Sequence, residues 1–304
     1  MKLTGLLAAL VTPVHPDHGG VDLDTLDEVC DFVLERGVDG VCLGGATAEY
    51  PRFELAERLA IIEHVSRRVR REAAVVTAIG SSSVPRVVAL GRAAAEAGSR
   101  AVLLPMPIFF RYEQIDLAAY CAHVAGEVDL PCLLYDLPDF ANPLQAETAL
   151  HLLERERNIV GIKDSSGRRE NLRRFVEARG DRGWTLFIGD DRNAAPAFEA
   201  GWDGAISGIA CCCPELLVAL HRRANGGDVE EARRCQGLLD ELIEKLSVLP
   251  TPWGVRVALR ARGIDTGPLP LALAPERLQQ IAQIEEWLPR WLETAGIPNL
   301  QPVD

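Results

Sequence analysis

The sequence predicts a (β/α)8 TIM barrel, residues 1–225, followed by a helical extension, residues 226–304, packed on it. Three observations carry that prediction. Short apolar runs alternate with longer amphipathic segments at a nearly regular spacing. Eight such runs occur before the pattern stops. Most are continuously hydrophobic, as expected of parallel strands covered on both faces. An open doubly wound sheet with an extra domain is the competing arrangement.

The strands, in order, are GLLAALV (5–11), DGVCLGG (39–45), AAVVTAI (73–79), RAVLLP (100–105), PCLLYDL (131–137), IVGIK (159–163), TLFIGD (185–190) and DGAISG (203–208). The opening MKLTGLLAALVTP reads as the first strand, because no small-residue cleavage site marks it as a signal peptide. Between strands one and two, Leu23, Leu26, Val29, Cys30, Val33 and Leu34 recur at helical spacing, and Gly37 can end that helix. In the helix over 84–97, Ser83 can cap the start, Pro85 suits the first turn and Gly98 the end. Helices also fit 53–70, 113–127, 145–155, 168–179, 192–200 and 214–224. The extension shows no strand signal and suggests helices near 228–247, 252–262 and 275–295.

At 304 residues, 48% hydrophobic and 25% charged, the chain has the composition of a soluble globular protein. A formal net charge of -12 argues against nucleic acid or an anionic membrane as partner. The apolar runs are shorter than the roughly 18 residues that span a bilayer. The eight cysteines are scattered, without the density of a secreted disulfide scaffold, so a cytoplasmic setting is expected. Cys211, Cys212 and Cys213 adjoin one another, yet neighbours on one backbone converge poorly on one ion. They read as buried thiols, and no metal or cofactor is expected. None of the six histidines, His18 among them, falls at a predicted strand end.

Active sites of such barrels gather at the C-terminal ends of the strands. Those ends bring Thr12, Gly44 to Glu49, Pro107, Tyr135 with Asp136, Lys163, Gly189 to Asp191, and Ser207 with Gly208. Lys163 stands out, because only three of the 32 basic residues are lysines. An amine held among apolar strands is pushed toward its neutral, nucleophilic form, which a guanidinium cannot match. The alternative is a structural ion pair with Asp164 or another carboxylate. Tyr135, ending the preceding strand, offers a phenol for proton transfer, or else is a core tyrosine with a satisfied hydroxyl. The GGATAE loop offers clustered N–H groups and the Thr47 hydroxyl for a carboxylate, or is simply a tight connection.

Taken in order, these segments resemble the dihydrodipicolinate synthase and N-acetylneuraminate lyase superfamily of Schiff-base barrel enzymes. GGATAE stands where that family carries G-[TS]-T-G-E, LLYDLP resembles its Y-N-x-P segment, GIKDSSG its G-x-K-[DE]-[ST]-[ST]-G segment, and IGDD its G-D-[DE] segment. The opening strand likewise ends in T-P. The resemblance implies that Lys163 forms an imine with pyruvate or another 2-oxo acid and that Tyr135 is the acid/base phenol. It implies that Gly45, Ala46 and Thr47 hold the substrate carboxylate. Asp191, with Ile206 and Ser207 on the adjoining rim, would meet substrate hydroxyls. A homotetramer or dimer is implied as well.

The departures narrow the expected activity. Ala46 replaces a threonine, Ala48 a glycine, and Phe109 a tyrosine contributed by a neighbouring subunit in the synthase, so two relay hydroxyls are missing. Phe140 stands where the synthase has an arginine for its aldehyde's carboxylate, and Arg192 where sialic acid lyases have glutamate. Phe109 and Phe140 are expected to wall a more apolar pocket, with Arg111 or Tyr112 as possible polar replacements. The expected function is a metal-independent lyase or aldolase acting on pyruvate or a 2-oxo 3-deoxy sugar acid through an imine at Lys163. A dehydratase using the same imine is the near alternative. A non-catalytic 2-oxo acid binding protein is the alternative of another class. A metal-dependent aldolase at Asp190 and Asp191 lacks the histidines it needs.

Overall fold

In the computed structural model, which describes residues 2–17 and 19–297, eight parallel strands close into a barrel in chain order. They are β1 (Gly5–Ala9), β2 (Gly40–Leu43), β3 (Ala74–Ala78), β4 (Ala101–Pro105), β5 (Cys132–Asp136), β6 (Ile159–Asp164), β7 (Thr185–Ile188) and β8 (Gly204–Ser207). β8 returns beside β1, with Leu7 opposite Ile206. Side chains alternate across each strand, so one sequence feeds two cores. Leu7, Ala9, Val76, Leu103, Leu133 and Phe187 fill the barrel interior. Leu6, Ala8, Val75, Val102 and Leu134 face the helical ring. Both faces of these strands are therefore dry, which is why the runs are continuously apolar.

The ring comprises α1 (Leu23–Leu34), α2 (Leu55–Val69), α3 (Val84–Ala97), α4 (Gln114–Glu127), α5 (Ala146–Arg155), α6 (Arg169–Arg179), α7 (Ala194–Ala200) and α8 (Pro214–Asn225). Local chemistry sets their ends. Asp22 caps α1 by accepting the Thr25 N–H at 3.0 Å, and Gly98 ends α3 at φ 90°. Ser83 occupies the cap position of α3, but its hydroxyl makes no capping bond. The second helical residue is Pro85, which has no N–H, and the Arg86 N–H is taken by the Ser83 carbonyl at 3.0 Å. No donor is left for the hydroxyl. The helix expected over 192–200 begins instead as a 3-10 turn, Asp191–Asn193, because Asp190 accepts from the Arg192 N–H and the Asn193 amide.

Three more helices follow: α9 (Val229–Leu246), α10 (Trp253–Ala261) and α11 (Pro275–Thr294). Leu239, Leu242, Trp253, Ile284 and Leu288 join the same apolar core as the helical ring. Each such residue contributes roughly 1.5–3 kcal/mol by burial. The extension is thus continuous with the barrel's core as far as residue 297; His18 and residues 298–304 lie outside the described residues.

Candidate active site

Lys163 and Tyr135 are register partners on β6 and β5, and both project into the barrel at its C-terminal end. Lys163 Nζ donates to the Tyr135 hydroxyl at 3.1 Å and sits 4.3 Å from that ring's centroid. The two residues are 5% and 3% exposed. The alternative pairing with Asp164 fails, because adjacent strand residues face opposite ways. Asp164 accepts from the Ser166 N–H at 2.7 Å and from Asn171 at 2.8 Å on the outer face. Among the described residues, no carboxylate lies within ion-pair distance of Nζ. Asp136 also points outward. Burial pushes it up to about 6, against the Leu144 N–H and its ion pair with Arg168.

Glycines shape the space around the lysine. A Cβ on Gly189 would lie 2.3 Å from Lys163 Cε and 2.2 Å from Ser165 Oγ, so the IGDD glycine admits both side chains. A Cβ on Gly208 would come within 3.0 Å of Thr47 Oγ1. Gly44 enters the GGATAE loop at φ 65°, and the loop tightens through Ala48 N–H to Gly45 O (3.2 Å) and Glu49 N–H to Ala46 O (2.9 Å). The N–H groups of Ala46 and Thr47 bond no protein acceptor among the described residues.

A cavity of about 390 Å³ brings together Ala46, Thr47, Tyr135, Lys163, Asp191 and Phe140. Asp191 is partly buried, with Oδ1 enclosed and unpartnered. Burial pushes its carboxyl up to about 6, although the Ser207 hydroxyl, the Ile209 N–H and Lys163 pull the other way. Ser165 Oγ, another enclosed and unpartnered atom, faces the same space. Enclosed polar atoms without partners are costly to a folded chain.

Other expected site residues lie elsewhere. Gly45 belongs to the loop but does not line the cavity. Ile206 is packed in the barrel interior, and Ser207 is fully buried, accepting from the Ala210 N–H at 3.0 Å. Gly208 and Ile209 form the rim in their place. Phe109 does not wall the cavity: it is 89% exposed, at φ 77°, packed edge-on against Phe110 at 4.9 Å. Asn142 donates to the Pro107 and Phe110 carbonyls, both at 2.7 Å, and holds this loop outward. Arg111 and Tyr112 do not reach the cavity either. Thr12 faces a separate small space beside Arg58.

The sequence reading missed the wall supplied by the extension: Ile243, Leu246 and Leu249 at the end of α9, and Pro252, Gly254 and Val255 at the start of α10. Its only signal was an apolar helical spacing that reads equally as packing. Cys211 to Cys213 are buried thiols, and burial pushes Cys211 and Cys213 up to about 12. No cluster of potential metal ligands occurs among the described residues, and no helix among them is long and apolar enough to cross a membrane.

Comparison with known proteins adds to this geometry. Residues 2–288 match the model of the dihydrodipicolinate synthetase family. A 4-hydroxy-tetrahydrodipicolinate synthase of Sorangium cellulosum is 34% identical over 93% of this chain and 95% of its own. The solved 4-hydroxy-tetrahydrodipicolinate synthase of Methylacidiphilum fumariolicum SolV superposes with a TM-score of 0.89 at 27% identity, covering 99% of this chain and 100% of that one. The prophage protein YagE of E. coli K12, solved in complex with pyruvate, superposes with a TM-score of 0.88 at 26% identity, covering 95% and 98%.

Proposed function

Because the chain belongs to the dihydrodipicolinate synthetase family, we propose that it is a class I, metal-independent lyase that works on pyruvate or a 2-oxo acid through an imine at Lys163. The observation that carries this reading is the 3.1 Å contact between Lys163 Nζ and the Tyr135 hydroxyl, in a cavity where no carboxylate pairs the amine. The Lys163 amine adds to the substrate ketone. Tyr135 passes a proton to the departing hydroxyl, water leaves, and an iminium forms. The substrate carboxylate fits the free N–H groups of Ala46 and Thr47. With the iminium as electron sink, the C3–C4 bond of a 4-hydroxy-2-oxo acid breaks as the Tyr135 phenolate left by the dehydration step takes the C4 hydroxyl proton. An aldehyde departs, Tyr135 returns that proton to C3 of the enamine left on Lys163, and water adds to the resulting iminium to release pyruvate and the free amine.

The aldehyde end differs from that of a synthase. Phe140 brings no positive charge to the rim, although Arg192 lines it, and Ala46 brings no hydroxyl. The aldehyde end would therefore meet Phe140 and Arg192, beside Asp191 and Ser165. A homo-oligomer fits the exposed Phe109, Phe110, Ile115 and Phe140, a concentration of apolar surface unusual for a monomer. A cytoplasmic setting fits eight buried cysteines that form no disulfide.

Borohydride trapping tests the reading. Pyruvate and reductant should leave a reduced adduct on the Lys163 peptide, absent from Lys163→Ala. No adduct with pyruvate or longer 2-oxo acids would overturn it.

A further inference from the structure

Glu49 ends the GGATAE loop in the left-handed region, at φ 51° and ψ 39°. Nothing in a glutamate side chain favours that conformation, so its surroundings hold it. Its carboxylate meets Arg52 at 2.9 Å and Arg256 at 3.2 Å. Arg52 is a near neighbour in sequence, whereas Arg256 belongs to α10 in the extension and has a side chain only 2% exposed. The rest of the Arg256 guanidinium is engaged with one segment. Nε donates to Thr266 Oγ1 at 3.1 Å, and Nη2 reaches the Thr266, Gly267 and Pro268 carbonyls at 2.7, 3.1 and 2.9 Å. That segment is docked on the loop after β1: the Val14 N–H donates to the Thr266 carbonyl at 3.1 Å. A Cβ on Gly267 would sit 1.9 Å from the Val14 carbonyl oxygen.

One buried guanidinium therefore joins the loop after β2, the extension and, through residues 266–268, the loop after β1. Two of these parts line the cavity. Ala46 and Thr47 lie just before Glu49, and Gly254 and Val255 just before Arg256. We infer that Arg256 is a positioning residue of this active site: through Glu49 it sets the loop whose free N–H groups receive the substrate carboxylate, and it locks that loop to the wall formed by α10. The inference rests on the carboxylate-binding reading above. The planar fork is what allows one side chain to serve a carboxylate and three carbonyls together, and an ammonium group cannot span them all.

The test uses the full-length protein as wild type, Glu49→Gln, Arg256→Ala and Arg256→Lys, with two readouts. Amide hydrogen exchange over residues 44–50 is measured without ligand, so it requires no chemistry. The second readout is the pyruvate concentration giving half-maximal borohydride trapping. Exchange over 44–50 should accelerate about tenfold in Glu49→Gln and Arg256→Ala, with β5 and β6 unchanged, as expected for losing one charge-assisted hydrogen bond. Half-maximal trapping should need about tenfold more pyruvate while the saturating adduct yield holds, with Arg256→Lys intermediate. Unaltered exchange over 44–50 in Glu49→Gln overturns the inference, and that variant keeps the bonds from Arg256 to residues 266–268 should Arg256→Ala fail to fold. Faster exchange with unaltered trapping overturns the link to carboxylate binding. If wild type forms no adduct, the imine reading fails and exchange alone decides whether Arg256 sets the loop.

Discussion

Two buried ionisable groups in this molecule are treated in opposite ways. Beneath the barrel wall, Glu215 is bracketed by Arg262, at 2.6 and 2.9 Å in a two-pronged contact, and by Arg36 at 2.9 Å. Burial pushes the Glu215 carboxyl up, but the hydrogen bonds and charge of Arg262 outweigh it and hold the group below its ordinary value. In the cavity, Lys163 has one hydrogen-bond partner, Tyr135, while Asp191 Oδ1 and Ser165 Oγ have none. The same chain can evidently satisfy a buried charge where the fold needs it. Arg222 Nη1 and Trp291 Nε1 are also enclosed without hydrogen-bond partners, but among the described residues only in this cavity do two such atoms share one space with a buried amine.

Substitution at each centre breaks this comparison most directly. Lys163→Ala should abolish adduct formation, with a melting temperature equal to or above wild type, since it removes a buried amine that no carboxylate pairs. Glu215→Ala should retain the chemistry but lose roughly 3 kcal/mol of stability, because two arginines lose their partner. Denaturant unfolding and trapping on both variants check the pair. If Lys163→Ala were the less stable of the two, the contrast would collapse.

Tyr135→Phe should lower turnover by about 10²–10⁴-fold, the range for a lost proton-transfer group, with no change in unfolding midpoint. Gly189→Ala addresses space rather than chemistry. Its Cβ would fall 2.3 Å from Lys163 Cε, and the displaced amine should form adduct about 10²-fold more slowly. Single-turnover trapping rates read both.

Asp191→Asn sharpens the comparison through pH. Its folded pKa is raised from 3.8 to about 6 by burial. A raised carboxyl costs nothing below pH 3.8 and progressively destabilises the fold as pH rises toward 6. Above pH 6 the variant should exceed wild type by about 3 kcal/mol, and the difference should vanish below pH 3.8. Equal stability at both pH values would mean that Asp191 is better solvated than its enclosed Oδ1 suggests.

The barrel was legible because both faces of each parallel strand are dry, so each appears as a short apolar run of nearly constant spacing. The strand-end residues were legible for the same reason: a polar residue closing an apolar run, as Lys163 closes IVGIK, has only one direction left in which to be polar. Ser83 shows where local reading stops. A serine before a proline has the right identity for a cap, but the donor it needs is absent at Pro85 and taken at Arg86. Phe109 shows it again, since the Asn142 contacts that turn it outward come from the following βα unit.

The sequence by itself determined the eight-unit barrel, the helical extension and the pairing of Lys163 with Tyr135 at neighbouring strand ends, because periodicity and strand-end position are local properties of the chain. Only the tertiary structure decided that Asp164 turns away from the amine, that Asp191 is left without a partner on Oδ1, and that Leu246 and Val255 close the cavity. It alone brought Arg256 to Glu49 across 207 positions. Those outcomes depend on which groups far apart in sequence share the same few ångströms, and no local pattern encodes that.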